Sequence, residues 1–386
     1  MHLSIQNIHS LSSGDFLTQL HSCFRQIEHN SIDKRAKRRI VKITVFSSCK
    51  DNADYLMKMN LLNDTLALSE KYQAPYSLVS QPPIDCETMM EVWILDHSGT
   101  EPTFTFTQGE QSSVLHIDCP DFSCLFSTQF SAKHETFKEN TLETFSKLDS
   151  TLRSNGFDYS EIVRQWNYIE NIVRLDTLID KHLQNYQIFN DMRSLFYEKS
   201  DFMNGYPSAT GIGMEYGGCT IEAIAFKEKK RNSIRPVTNS FQVDAHSYSS
   251  TVLTGKAIEE IIRVSTPKFE RGKYLHFGDD GFLFISGTAS IIGEQTVFTE
   301  DVAKQTLTTL SNIDHLVSMN NLNHNKISIT SQPQLLNYRV YLKNESDYTI
   351  VKSLCDIHYG IDNGFIVKAD ICRSNLLIEI EANYLV

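Results

Sequence analysis

One order of elements occurs twice in this chain, over residues 123–226 and again over 281–382. The first copy opens with a strand at 123–130 and passes through a polar loop. A helix follows, whose apolar residues Leu142, Phe145, Leu148 and Leu152 recur at spacings of three and four. It continues with a strand at 162–169, a helical pattern over about 178–199, a Gly/Pro-rich turn at 203–213 and a strand closing at 221–226. The second copy has a strand at 282–287, a helix near 300–317, a strand at 338–342, a helix near 346–357 and a closing strand at 376–381. Glu222 and Glu379 read as occupants of corresponding places in the two copies. Strands alternating with helices, each unit ending on a strand after a hairpin-like connection, predict an α+β fold: mixed sheets with helices on one face. Two such units should bury a mutual face and leave a cleft between them.

A chain of 386 residues is long enough for more than one core. The expected division is an N-terminal extension or degenerate subdomain at 1–110, a first unit at 111–235 and a second at 236–386 carrying the closing strand. The N-terminal part shows a helix at 14–27, a strand at 40–47 and a helix near 53–70. The stretch 227–272 has little apolar periodicity beyond Ala257, Ile258, Ile261 and Ile262, and a connection of that length is functional or disordered.

Several function classes are disfavoured. A net charge of −11 argues against nucleic-acid binding, which needs a basic surface, and the cluster Lys34, Arg35, Lys37, Arg38 and Arg39 reads as a solvated helix face. No apolar run is long enough to span a bilayer and no secretory leader is evident, so a cytoplasmic protein is expected. Eight cysteines without a CxxC pair predict reduced thiols, with no zinc knuckle and no metal. Pro207 to Gly213 lacks the Gly-Lys-Ser/Thr of a phosphate loop and reads as a turn feeding a strand.

The closing segment, 367–382, sets Glu379 and Glu381 in an apolar, β-branched run. A carboxyl buried there must be paired, hydrogen-bonded or protonated, and a protonated one is a general acid. On a solvated edge strand the same two glutamates would carry no chemistry.

Taken in order, several segments resemble one family. They are 162–169 with Arg164, Trp166 and Tyr168; 190–197 with Asn190, Arg193 and Tyr197; and 206–213. Further on come 239–248, ending at Tyr248; 268–271, ending at Arg271; 284–293, with Gly287 and Ala289; and 369–381, with Cys372, Arg373 and Glu379. The duplicated unit resembles the RidA/YjgF-type, chorismate mutase-like fold, and the ordered set resembles the chorismatases, which split chorismate into pyruvate and a hydroxybenzoate or dihydroxycyclohexadiene product. The matches run from about residue 120 to 382.

That resemblance implies a small-molecule substrate, chorismate, and a cofactor-free reaction in which Glu379 protonates the enolpyruvyl group. Catalytic roles fall to Glu379, Cys372 and Tyr248, with Cys372 a pocket wall rather than a nucleophile. Substrate binding falls to Arg193, Tyr197, Arg271, Ala289, Arg339 and Arg373, since a dianion needs cationic clamps. Arg164 serves structure or site equally well. The Cys372-to-Glu379 spacing of seven implies a bulge or turn at Ser374-Asn375. The product expected is 3- or 4-hydroxybenzoate; a dihydrodiol, a non-catalytic RidA-like binding protein and an imine deaminase remain alternatives. Internal duplication also predicts a monomer or weak oligomer.

Overall fold

The computed structural model describes residues 1–31, 37–67, 72–97, 101–175, 183–230, 233–253, 264–278, 280–361 and 363–386. It contains three units of one topology, not two. The first runs β1 (His2–His9), α1 (Phe16–Ser31), β2 (Arg38–Ser47), α2 (Asn52–Ala67), β3 (Tyr76–Ser80) and β4 (Thr88–Asp96). Its sheet order is β1-β4-β2-β3, with only the β2–β3 pair parallel.

The second unit opens with a hairpin, β5 (Thr103–Gly109) and β6 (Ser112–Asp118). It then repeats the pattern as β7 (Phe122–Ser131), α3 (Phe137–Ser154), β8 (Ile162–Glu170), α4 (Asn185–Tyr197), β9 (Ser208–Met214) and β10 (Cys219–Glu228), in sheet order β5-β6-β7-β10-β8-β9. The third adds β11 (Arg235–Val237) and β12 (Gly272–Phe277) before β13 (Asp280–Ala289). A small hairpin, β14 (Ile291–Ile292) and β15 (Gln295–Thr296), precedes α5 (Val302–Val317) and α6 (Met319–His324). The unit ends with β16 (Gln334–Leu342), α7 (Tyr348–Tyr359), β17 (Gly364–Lys368) and β18 (Ile378–Leu385), in order β11-β12-β13-β18-β16-β17.

The α+β class thus stands, and the N-terminal segment is a full copy of the repeated unit. Of its strands the sequence shows only β2; β4 is buried along almost its whole length and shows no polar alternation. The segment 208–214 is itself the parallel edge strand β9 rather than a turn before one. Arg38 and Arg39 open β2 instead of lying on a helix, while residues 34–36 and the apolar positions of 257–262 lie outside the described residues.

Each unit lays its helices on the outer face of its sheet. Leu20 and Leu62 fill the first such layer, Phe145 and Phe189 the second, and Leu310 and Val351 the third. The inner faces of all three sheets share a fourth core around Trp93, Trp166, Phe284 and Tyr341. Three backbone hydrogen bonds of 2.8 Å close a ring among the units: Glu215 to Ser80, Gly213 to Asp370 and Lys368 to Pro82, amide donating to carbonyl in each case.

Register exposes the internal symmetry. The fourth residue of each closing strand is a glutamate: Glu91, Glu222 and Glu381. They lie opposite Thr44, Trp166 and Arg339 on the adjacent strands. Glu381, and not Glu379, is therefore the counterpart of Glu222. Glu379 stands where the other units have Met89 and Thr220.

The three equivalent glutamates are buried at the centre with three cations. Arg339 donates to Glu91 at 2.8 Å, Lys42 reaches Glu222 at 2.9 Å, and Arg164 pairs with Glu381 at 2.8 Å. Further contacts of Lys42 with Glu91 and of Arg339 with Glu381, both 3.5 Å, join the pairs into one network. Charge balances there without Glu379.

Candidate active site

Between the second and third units lies a cavity of about 300 Å³. Residues of β9 and the start of α4 form one wall and β13, β18 and the loop after β17 the other, while the connection carrying Tyr248, Phe269 and Arg271 covers it. Glu379, Cys372, Tyr248, Arg271, Ala289 and Arg373 all line it, from positions as much as 131 residues apart in the chain. Arg193, Tyr197 and Arg339 do not.

Glu379 extends from the second position of β18 and is only 4% exposed. Burial, reinforced by the neighbouring charge of Glu381, pushes its carboxyl up to about 8 against the weaker opposing pull of Arg164 and Arg271. It is a protonated acid at neutral pH. Its neighbour Glu381 is held below the usual carboxylate range: burial acts upward, but the guanidiniums of Arg339 and Arg164 and hydrogen bonds from Thr210 and Trp166 outweigh it. Two carboxyls two residues apart thus carry different protons, the pattern that divides acid from structural ion.

Space for the Glu379 head comes from Gly287 on β13. A β-carbon at that position would meet the Glu379 carboxyl carbon at 2.9 Å and Thr210 Cγ2 at 3.1 Å. Glycine inside a strand marks this kind of close approach. Ala289, two residues on, lies opposite Glu379 in the β13–β18 register, so a small side chain borders the acid.

Arg271 is 3% exposed and its guanidinium donates to the Val243 carbonyl and to the Tyr248 hydroxyl, the latter at 2.8 Å. No carboxylate pairs with it among the described residues, and its Nε has no partner. The Tyr248 ring lies between two cations, 5.6 Å from the Arg271 guanidinium carbon and 5.4 Å from that of Arg373. Arg373 is itself anchored, donating to the Glu294 carbonyl at 2.8 Å.

Cys372 sits in the loop between β17 and β18, and a turn at Ser374-Asn375 separates it from Glu379. Burial, with the nearby Glu379, pushes the thiol up to about 12, so it is a neutral wall and no nucleophile.

The three residues away from the cavity, and Arg164 with them, have other partners. Arg339 is committed to Glu91 and to the hydroxyls of Tyr168 and Tyr341, and Arg164 to Glu381, Ser208 and Thr210. Tyr197 donates to Gln165 at 2.8 Å behind α4, and Arg193 donates to Asn190 at 2.7 Å. In sequence these arginines looked alike. Arg339 and Arg164 are set apart by a carboxylate that reaches each from another unit, which no local pattern encodes.

Asn190, Tyr186, Phe269 and Gly287 line the cavity without having been assigned roles in the sequence reading. Only Gly287, a glycine within a strand pattern, carried a usable signal.

Among the described residues two trios of metal-capable groups come together, His9–Asp85–Cys86 and Asp244–His246–Glu270, each with ligand atoms within 4.8 Å. Neither lines the cavity. In the second, the hydrogen bond that His246 donates to the Glu270 carboxylate is the chief cause raising the imidazole pKa, an ion pair that needs no metal.

Fold and site together define a three-unit α+β protein with an inter-unit cavity that holds a protonated glutamate beside an arginine that no carboxylate of the described residues pairs. A family model described as "Chorismatase FkbO/Hyg5-like, N-terminal" matches residues 97–225. A 3-hydroxybenzoate synthase from Streptomyces hygroscopicus is 31% identical over 303 residues, 76% of this chain and 81% of the relative. A chorismatase from Streptomyces rapamycinicus is 28% identical over 278 residues, 71% and 77% of the two chains. The crystal structure of a chorismatase superposes with a TM-score of 0.73 over 99% of this chain and 98% of its own, at 21% identity, and so has the same fold. The chain belongs to the chorismatase family. Among the described residues no helix is long and apolar enough to cross a membrane.

Proposed function

We propose that this protein converts chorismate to a hydroxybenzoate and pyruvate, with Glu379 as the proton donor. The observation that carries the reading is a carboxyl held protonated to about pH 8 on the wall of a cavity that also presents an arginine without a carboxylate partner among the described residues. The relative named 3-hydroxybenzoate synthase supports the aromatic product over the dihydrodiol.

Chorismate is a dianion with an enol ether. Arg271 takes the enolpyruvyl carboxylate, and the Tyr248 hydroxyl, held by Arg271, faces the same group. Glu379 delivers its proton to the methylene carbon, and the C=C electron pair forms the new C–H bond. The resulting oxocarbenium centre draws electrons from the ring C–O bond, which breaks and leaves the pyruvate carbonyl. A ring proton then passes to the Glu379 carboxylate as the ring aromatises, directly for the 4-isomer or after the remaining ring hydroxyl oxygen has shifted to the vacated carbon for the 3-isomer, so the acid is restored and no net water is consumed. Burial favours this cycle because it penalises the charged carboxylate between the two transfers. The small Ala289 leaves room for the ring, and Cys372 and Arg373 shape the remaining wall. We place the enzyme in the cytoplasm, working as a monomer or weak oligomer.

Incubation of the pure protein with chorismate should release pyruvate, and chromatography should find 3- or 4-hydroxybenzoate in equal amount. Absence of pyruvate where a control chorismatase turns over defeats the reading; a dihydrodiol as sole product defeats the aromatising branch.

A further inference from the structure

A second constellation stands apart from the cavity, where β1 ends. His9 is the last residue of that strand and pairs with Met89 in the β1–β4 register, which sets it beside the loop leading into β4. That loop carries Asp85 and Cys86. The His9 Nδ1 atom is 3.5 Å from Cys86 Sγ and 3.8 Å from Asp85 Oδ1, and one ligand atom of each residue lies within 4.8 Å of the other two. In a tetrahedral shell with a metal–sulfur bond of about 2.3 Å and a metal–nitrogen bond of about 2.0 Å, sulfur and nitrogen stand about 3.5 Å apart. Sulfur and nitrogen are thus already spaced as two ligands of one ion, and the carboxylate has only about half an ångström to close. Sequence spacing hides the set, because His9 and Cys86 are 77 residues apart. Solvent reaches it through His9 and Asp85, whose side chains are 36% and 40% exposed, so an ion has an entry path. The loop is held in place from the third unit: Pro82 accepts from the Lys368 amide and Ile84 donates to the Ile366 carbonyl at 3.3 Å. Burial and the Asp85 charge hold Cys86 as a neutral thiol, pushed up to about 12, so no thiolate–imidazolium pair explains the trio. The carboxylate that opposes a bare thiolate becomes its co-ligand once a cation lies between them.

We propose that His9, Asp85 and Cys86 form a binding site for one borderline-soft divalent cation of the zinc class, in a tetrahedral shell of nitrogen, oxygen and sulfur whose fourth position is water. Thiolate and imidazole select zinc over magnesium and calcium, which take shells of oxygen. Binding displaces the thiol proton: the S–H electron pair stays on sulfur and binds the metal, and the proton goes to solvent. The role is structural. None of the three residues lines the cavity, and the ion ties the end of β1 to the loop that joins the first unit to the third. The inference is independent of the chorismatase reading.

The test uses the untagged full-length protein, stripped with a chelator and titrated with zinc chloride against a chromophoric competitor. Wild type should bind one zinc per chain, with affinity rising about tenfold per pH unit above neutrality as the thiol proton is displaced. Its melting temperature should climb with zinc concentration, since the unfolded chain has no assembled site. Cobalt(II) in place of zinc should give a thiolate-to-metal charge-transfer band. Cys86→Ser should abolish the band and weaken zinc binding by more than the ~10- to 100-fold of an outer-shell change. His9→Gln and Asp85→Asn, at solvent-reached positions that tolerate substitution, should each weaken it by at least about tenfold. Magnesium chloride should neither compete nor shift the melt, and chorismate turnover should be the same with and without zinc and in all three variants. The inference falls if wild type binds zinc no better than Cys86→Ser does, if the cobalt band survives in Cys86→Ser, or if magnesium competes on equal terms. Should Cys86→Ser fail to fold, His9→Gln decides: wild-type zinc affinity in that variant overturns the site.

Discussion

The carboxyl of Glu379 lies directly over Gly287 on the adjacent strand, and the absence of a side chain there is what gives the acid its place. An alanine β-carbon at 287 would stand 2.9 Å from the Glu379 carboxyl carbon, closer than van der Waals contact allows. Gly287→Ala should therefore displace the acid from its position. Turnover should fall by about 10²-fold or more, the scale of losing a general acid, while circular dichroism and thermal melting remain near wild type because β13 keeps its register. A Gly287→Ala enzyme with full kcat would show that the carboxyl does not work from this position.

Glu379→Gln keeps shape and removes the transferable proton. Turnover should drop by about 10²–10⁴-fold with chorismate binding retained. In the wild type, kcat/KM should decline as pH rises through about 8, where the free enzyme loses this proton. Stability carries the same signature. The unfolded chain releases the proton near the ordinary value of 4.5 and the folded one near 8. The folded state thus binds more protons between these values, and wild-type stability falls across that window as pH rises, by up to a few kcal/mol. The glutamine variant should lack this slope, so the difference in melting temperature between the two proteins should move in favour of the variant from pH 5 to pH 8.

Glu381→Gln serves as the contrasting variant, though not as a mild one. The sequence suggests a spare carboxylate two residues along the strand; the fold makes Glu381 the shared partner of Arg164 and Arg339, with Thr210, Trp166 and Tyr341 also donating to it. Removing one member of a buried ion pair costs about 3–5 kcal/mol. Chemical denaturation should show a loss of that size. Wild-type stability with normal turnover would mean that the central network contributes nothing.

How much of this was legible beforehand follows from where the information lies. Helices such as α3 and α5 stood out because half-buried helices write their period into the sequence, and β18 stood out as an apolar, β-branched run. In the first unit α1, β2 and α2 were legible but the full sheet was not, because β4 is buried along nearly its whole length and loses alternation. Glu379, Cys372, Tyr248 and Arg271, which line the cavity, were named through the ordered family resemblance. Arg339 could not be told from a clamp because its partner, Glu91, comes from the other end of the chain, in a unit whose pairing was unread. Likewise the pairing of Glu222 with Glu379 failed by two residues. β18 carries glutamates at both its second and fourth positions, and only strand register decides which one matches.

Arg271 offers the sharpest separation of binding from folding. Its guanidinium is buried, hydrogen-bonded to one carbonyl and one phenol, and faces the cavity without a carboxylate among the described residues. Arg271→Met removes a charge whose burial the folded protein alone does not compensate, so thermal stability should hold or rise. Chorismate affinity should fall by about 10- to 100-fold, since a substrate carboxylate loses a charge-assisted donor. A second effect follows from the sign of the coupling. Arg271 pulls the Glu379 carboxyl downward, so without it the acid should hold its proton to still higher pH and the alkaline limb of kcat/KM should move above about 8. Weakened binding together with an upward shift of that limb places Arg271 beside both the substrate and the acid; weakened binding with an unmoved limb would detach it from Glu379, and unchanged binding would remove it from the site.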